Sequence, residues 1–491
     1  MITQPIAEIR RRLQAGDVAP ADLAVESLDK IAALDDRVKA FLRTTPGHEG
    51  SAATGPLAGM PMAVKDVFTT AGVETTAGSR ILAGFIPPYT ATTVQKAFDA
   101  GAVMVGKTNC DEFAMGSSNE NSAFGPVHNP WDLSCVPGGS SGGSAASVAA
   151  GMVTFALGSD TGGSIRQPAS LCGVVGFKPT YGRTSRYGLI AFASSLDHVG
   201  TFTRTVADAA EVLKVIAGQD PMDSTTAPRP ADEVARDLTA PVKGMRLGVP
   251  REYFVEGMEP GVETAVRGAI ARLQELGAEI VDISLPHTSY GVAVYYIIAP
   301  AEASSNLARM DGVRFGHSAP DQRTVADQYF TARAEAFGAE VKRRIMIGTY
   351  ALSSGYYDAY YLKAQKVRTL VRQDFDAAFQ KCDAIVCATS PTVAFPIGAK
   401  TQDPLAMYLN DVLTIPADLA GVPAISVPCG LSGGLPVGLQ VIGPMWREDV
   451  VLRVAGAYEA VSGWGNPTPT AVAHVSASNL TAIHDSGAAD Q

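Results

Sequence analysis

The sequence predicts an α/β fold, and three observations carry that reading. Short apolar runs of strand length recur along the 491 residues and alternate with stretches of helical spacing. One segment reads as a complete strand–helix–strand unit: Arg246–Val249, then Val262–Leu276 ended by Gly277, then Glu279–Ile283. Apolar residues make up 46% of the chain, enough for a large buried core, and the 49 glycines follow no short repeat of the fibrous kind.

The elements follow in order from local pattern. Ile6, Ile9 and Leu13 keep helical spacing up to Gly16-Asp17, and Pro20 opens a second helix through Leu23, Ser27, Ile31 and Leu34, so a helical hairpin is expected first. Residues 56–70 and Ala102–Val105 read as buried strands on either side of the helical stretch Thr93–Ala100. From Asn129 to Gly182 the texture changes. Gly138-Gly139-Ser140-Ser141-Gly142-Gly143-Ser144 leads into an Ala-rich helix to about Gly151, an apolar run Val153–Leu157, and the turn Asp160-Thr161-Gly162-Gly163-Ser164. Glycine and serine this dense between regular elements mean close backbone approach. Residues 218–243, rich in Pro, Asp and Thr, are the best internal break. Ala384–Ala388, Ala424–Val427 and Val437–Ile442 read as further strands, Val450–Ala460 as a helix, and Pro467–Gln491 as a segment that frays.

Composition excludes several functions. Lys and Arg number 39 against 49 Asp and Glu, a net charge of −10, so no broad basic surface for nucleic acid is expected and any such contact would be local or made by a partner. The cysteines at 110, 135, 172, 382, 387 and 429 form no CxxC pair and have no histidines at zinc-finger spacing, which argues against a structural metal. No basic-then-apolar leader and no apolar run of membrane-spanning length is visible, so the expectation is a cytoplasmic protein with reduced thiols and no membrane contact.

Three motifs compete to carry chemistry. Gly101–Thr108 matches the phosphate-loop pattern GxxxxGK[ST] letter for letter, which would make the chain an ATP-binding or switch protein. A helix precedes it, however, and its middle is the strand-like AVMV, whereas a phosphate loop follows a strand and exposes its amides. Ser140 and Ser141 each sit in a GxSxG pattern, but a turn rather than a strand precedes them. None of the seven histidines, at 48, 128, 198, 287, 317, 474 and 484, lies in a motif-like setting that would complete a His-based triad. The third pattern combines the Ser-rich loop, the Asp160–Ser164 turn and Lys65. A lysine kept neutral by burial can activate a serine without histidine, and Lys65 stands in the apolar stretch Met62–Val67. The competing structural reading is a strand-end lysine paired with Asp66. The Gly-rich turn offers amides suited to an oxyanion, or to another anion, or is simply a tight turn.

Taken jointly, GGSSGGS at Gly138–Ser144 and GSDTGGSIRxPA at Gly158–Ala169 resemble the amidase signature family. That resemblance implies a single large domain over residues 1–465, a central mixed β-sheet covered by helices on both faces, with the hairpin of about 5–40 packed on it and 466–491 a flexible C-terminal tail. It implies a Ser-cis-Ser-Lys triad: Ser164 as acyl-forming nucleophile, Ser140 as bridging serine in a cis peptide, Lys65 as base. Thr161, Gly162 and Gly163 would form the oxyanion hole.

Segments 109–132, 173–197, 302–316, 351–368 and 407–430 further resemble one branch, the A subunits of glutamyl-tRNA(Gln) and aspartyl-tRNA(Asn) amidotransferases. On that branch Tyr295, Arg344 and Asp411 would bind glutamine, with Tyr296 an alternative to Tyr295. The branch implies B and C subunits as partners in a heterotrimer, misacylated tRNA bound mainly by the B subunit, and ATP with Mg²⁺ used by that partner; no cofactor or metal is expected in this chain. A stand-alone amidase acting on small or aryl amides is the other enzymatic reading.

Overall fold

The computed structural model describes residues 1–46, 54–470 and 472–473. Among them, eleven strands form one mixed sheet: β1 (Phe41–Thr44), β2 (Pro61–Lys65), β3 (Val103–Thr108), β4 (Phe155–Asp160), β5 (Val175–Lys178), β6 (His198–Thr203), β7 (Arg246–Pro250), β8 (Glu279–Ile283), β9 (Ala384–Ala388), β10 (Ala424–Ser432) and β11 (Leu435–Ile442). Their order is β1-β3-β2-β4-β6-β5-β10-β11-β9-β7-β8. β3, β2 and β4 run parallel, the ladder from β4 through β6, β5, β10 and β11 to β9 is antiparallel, and β9, β7 and β8 are parallel again.

Helices cover both faces, which explains why the strands read as continuous apolar runs rather than alternating ones. Met62, Val64, Phe155 and Leu157 enter one core cluster, while their neighbours Ala63 and Ala156 enter another. The first is shared with the helices Val206–Ile216, Pro260–Glu275 and Glu448–Ser462, the second with Gly142–Ala149 and Arg166–Cys172. The N-terminal hairpin forms as the spacing requires, Ile6–Ala15 and Pro20–Val38, with Gly16 in the left-handed conformation between them. Ile6, Ile9 and Leu23 are fully buried in the first cluster.

The structure adjusts several sequence expectations. The strand within 56–70 is confined to Pro61–Lys65, and the run at 102–105 continues to Thr108. The break at 218–243 does not divide the sheet: Val234 packs into the main core and β10 and β11 join the two wings. Four helices between Gly291 and Ala378 had no counterpart in the pattern reading. Of the expected tail, residues 466–470 and 472–473 are described, with Val472 buried against the second core cluster, and residue 471 and residues 474–491 lie outside the described residues. No described helix is long and apolar enough to cross a membrane.

Candidate active site

The parallel strands deliver their carboxyl ends to one place, where a site in an α/β sheet is expected. Lys65 closes β2, Thr108 closes β3 and Asp160 closes β4. Lys65 is fully buried, and its Nζ donates to Ser140 Oγ at 2.7 Å, Ser141 Oγ at 2.9 Å and Ser159 Oγ at 2.9 Å. Burial pushes its pKa down to about 8, against the opposing pull of Cys110, Asp111, Asp160 and Asp197. The pairing of Lys65 with Asp66 does not occur. Asp66 instead takes Arg43 at 2.8 Å and Lys107 at 3.6 Å.

Ser140 sits in a cis peptide with Gly139. The loop is clasped from two sides: the Asp111 amide donates to the Ser140 carbonyl at 3.2 Å, and the Gly139 amide donates to Gln167 Oε1 at 3.0 Å. Gln167 lies three residues beyond Ser164, so this bond ties the Ser140 loop to the helix that follows Ser164, Arg166–Cys172. Ser164, 6% exposed, is the triad member that reaches solvent, while Lys65 and Ser140 do not. Among the described residues no hydrogen bond joins Ser140 to Ser164, a distance that unliganded sites commonly leave long.

The turn before Ser164 is held by a buried charge network. Asp160 accepts the amides of Gly163 at 2.6 Å and Ile165 at 3.1 Å and pairs with Arg166, which also reaches Asp418 at 2.6 Å. Burial alone would raise the Asp160 carboxyl; Arg166 outweighs it and holds the group well below the usual carboxylate range. The Gly163 amide, one of those expected at an oxyanion, thus already donates to Asp160. Glycine is needed at 162 and 163 by close approach: a Cβ at 162 would lie 2.8 Å from the Tyr295 ring, and one at 163 only 2.2 Å from Thr414 Oγ1.

The three expected ligand-binding residues converge on this turn from later in the chain, on the helices Gly291–Asn306 and Ala339–Leu352 and the short turn Leu409–Asp411. Tyr295 packs against Gly162. Tyr296 stacks on Tyr408, centroids 3.7 Å apart, and its ring lies 5.0 Å from the Arg344 guanidinium. Tyr295 therefore borders the nucleophile turn and Tyr296 supports the arginine. Arg344 is 2% exposed, donates Nε to Glu340 at 2.8 Å, and has no described partner at its two terminal nitrogens. Burial opposes its charge, but Tyr296 and Glu340 more than offset that and hold it above its ordinary range. Asp411 accepts a hydrogen bond from Ser117 Oγ at Oδ2, while its buried Oδ1 has no partner and lies 3.4 Å from where a Gly163 Cβ would stand. Burial raises its pKa to about 7. Arg344 is buried rather than in a surface ion pair, and the Asp411 side chain accepts from Ser117 rather than capping a helix.

The site is thus a buried amine on hydroxyls, a serine at a Gly-rich turn, and beyond it a buried guanidinium and an unpartnered carboxylate oxygen. Residues 23–452 match the amidase family model. The chain belongs to the amidase signature family. The A subunit of glutamyl-tRNA(Gln) amidotransferase from Chloroflexus aurantiacus is 58% identical over 472 residues, covering 94% of this chain and 97% of that one. The crystal structure of the corresponding A subunit from Thermotoga maritima, also a glutamyl-tRNA(Gln) amidotransferase, aligns with a TM-score of 0.79 at 48% identity, covering 92% of this chain and 94% of that one. A peptide amidase from Stenotrophomonas maltophilia aligns with a TM-score of 0.79 at 32% identity, covering 94% and 97%.

Two partners of Lys65, Ser141 and Ser159, carry no signal of that role in the sequence: Ser141 stands in a GxSxG pattern and Ser159 is one letter of GSDTGGS. Neither the phosphate loop nor a histidine triad is formed. Gly106 and Lys107 lie inside β3, where the ladder to β1 and β2 engages them, and Lys107 Nζ is bound to the Phe68 carbonyl at 2.5 Å. His198 is buried beside Asp160 O and Lys178, and no described histidine bonds Ser140, Ser141 or Ser164.

Proposed function

We propose that this chain is the glutaminase component of a tRNA-dependent amidotransferase that converts Glu-tRNA(Gln) to Gln-tRNA(Gln). The observation that carries the reading is Asp411 Oδ1, buried without a partner beside the Ser164 turn, in the same site as the Arg344 guanidinium, whose one described hydrogen bond is made through Nε. An amino-acid zwitterion supplies one carboxylate and one ammonium at fixed separation, and a substrate without the ammonium would leave the Asp411 oxygen unpaired. The likeness to relatives named as A subunits of glutamyl-tRNA(Gln) amidotransferase supports the same choice.

In this reading neutral Lys65 takes a proton from Ser140 as Ser140 takes one from Ser164. Ser164 Oγ attacks the side-chain amide carbon of glutamine, and the amides of Thr161, Gly162 and Ser164 bind the developing oxyanion. The C–N bond breaks, ammonia leaves with the proton returned through Ser140, and the glutamyl ester on Ser164 is hydrolysed by water to glutamate. Amidation of the tRNA-bound glutamyl group belongs to the partner B and C subunits, with ATP and Mg²⁺ consumed by the B subunit in a cytoplasmic heterotrimer. The net charge of −10 suits a chain that leaves tRNA to its partner.

The test is ammonia release from glutamine by the protein isolated with its bound partners, with and without Glu-tRNA(Gln) and ATP, against Ser164→Ala. Release abolished by the substitution and accelerated by tRNA and ATP is expected. Ser164-dependent release indifferent to both additions would instead mark a stand-alone amidase, and release surviving Ser164→Ala would refute the nucleophile.

A further inference from the structure

Asp411 has two buried oxygens in unequal situations. Oδ2 is taken by Ser117 Oγ, and Oδ1 is left without a partner beside Gly163. Ser117 is itself 2% exposed and its backbone is fixed on both sides. Gln167 Nε2 donates to its carbonyl at 2.8 Å, and Gly116 before it lies so close to Asp111 that a Cβ there would be 2.2 Å from the carboxyl carbon. The same Gln167 side chain holds Gly139 of the Ser140 loop. Position 167 is the one the family motif leaves open, yet here it is fully buried and spends both ends of its amide on these two loops.

We infer that Ser117 is a positioning residue for substrate selection: by occupying Oδ2 it turns Asp411 so that Oδ1 alone faces the α-ammonium of the substrate. This rests on the glutaminase reading and adds to it the group that sets amino-acid selectivity. A carboxylate free to rotate would offer either oxygen to either neighbour, whereas one pinned by a rigid donor presents a single acceptor in a single direction. The hydroxyl also favours the ionised carboxylate, opposing burial. The other groups acting on Asp411 are Asp160, which disfavours its charge, Arg344 and Arg166, which favour it, and Tyr295 and Lys400 nearby.

The experiment compares glutamine with glutaramate, which is glutamine with hydrogen in place of the α-amino group, on the intact complex. Glutaramate is scored as substrate or as competitive inhibitor of glutamine hydrolysis. In Ser117→Ala the KM for glutamine should rise about 10-fold or more while the constant for glutaramate stays within about twofold. The pH below which glutamine binding weakens should move upward, kcat should change little, and Ser117→Thr should restore all three. KM and inhibition constants do not depend on the active fraction, so partial misfolding does not mimic the result, and Ser117→Cys replaces the alanine variant if that fails to fold. Equal weakening of both ligands, or no change in either, overturns the inference. No ammonia release from glutamine by the unsubstituted complex would instead bring down the glutaminase reading on which it stands.

Discussion

Two lysines lie side by side in this sheet, and only one of them is placed to do chemistry. Lys65 ends β2 and Lys107 is one residue short of the end of β3, with Val64 paired to Lys107 across the ladder. Both are fully buried, and burial pushes both down to about 8. Their partners differ. Lys107 meets the Phe68 carbonyl at 2.5 Å, Thr75 Oγ1 at 3.0 Å and the Asp66 carboxylate at 3.6 Å; Lys65 meets three serine hydroxyls and no carboxylate at contact distance. A carbonyl and a carboxylate can only accept, so Lys107 is useful to them as a cation. A hydroxyl can also donate, so when Lys65 loses its proton Ser140 can turn and give it one. Lys107 also meets the Thr75 hydroxyl, so what separates the two is the Asp66 carboxylate and the Phe68 carbonyl, which favour Lys107 as a cation, against a shell of hydroxyls alone around Lys65.

The comparison breaks most sharply on paired substitutions. Lys65→Met should lower ammonia release by about 10³-fold or more in a protein that still unfolds cooperatively. Lys107→Met should keep the turnover of the folded molecules and lose about 3 kcal/mol in urea unfolding, because Asp66 is left buried with one cation fewer. If both substitutions hit activity equally at full stability, the distinction drawn from their partners is wrong.

A finer cut separates the hydroxyls around Lys65. Ser140→Ala removes the group that must pass the proton and should cost about 10²-fold or more in kcat, whereas Ser141→Ala removes a holder of the amine and should cost about tenfold. Steady-state kinetics on the two variants would decide it.

Proton occupancy supplies a smaller, graded effect. Lys65 must be neutral to act, so kcat/KM should climb about tenfold per pH unit up to about 8 and then level. Below about 7 the slope should steepen as Asp411 takes up a proton. Stability should respond in the same direction. The folded state releases the protons of Lys65 and Lys107 near 8 and the unfolded chain only near ~10.4, so between these values the unfolded chain binds more protons and stability rises with pH. Urea unfolding across that window should show the rise, and Lys107→Met should flatten part of it.

How far the sequence reached is instructive in the same terms. The hairpin at 6–38, the unit at 246–283 and the strand character of 102–105 all rest on periodicity or caps within a dozen or so residues, and all are found. Rejecting the phosphate loop needed only the observation that AVMV wants to be a strand. By contrast, the charges that hold the nucleophile turn come from residues 160, 166 and 418, and the Ser117 contact with Asp411 spans 294 residues. Pairings that distant leave no local trace. Nothing in the letters DTGGS says that the Gly163 amide is spent on the Asp160 side chain. Tyr295, Arg344 and Asp411 are legible only through family resemblance, since no local motif surrounds any of them.

The residues to which the proposed reading gives proton transfer, Lys65, Ser140 and Ser164, all come from residues 65–164, while Tyr295, Arg344 and Asp411 arrive on helices and turns well over a hundred residues later. Heredity can treat these as two separate inheritances. An exchange of the later elements would leave the earlier ones in place, and the contact between Ser117 and Asp411 is a seam where such an exchange would have to be re-fitted.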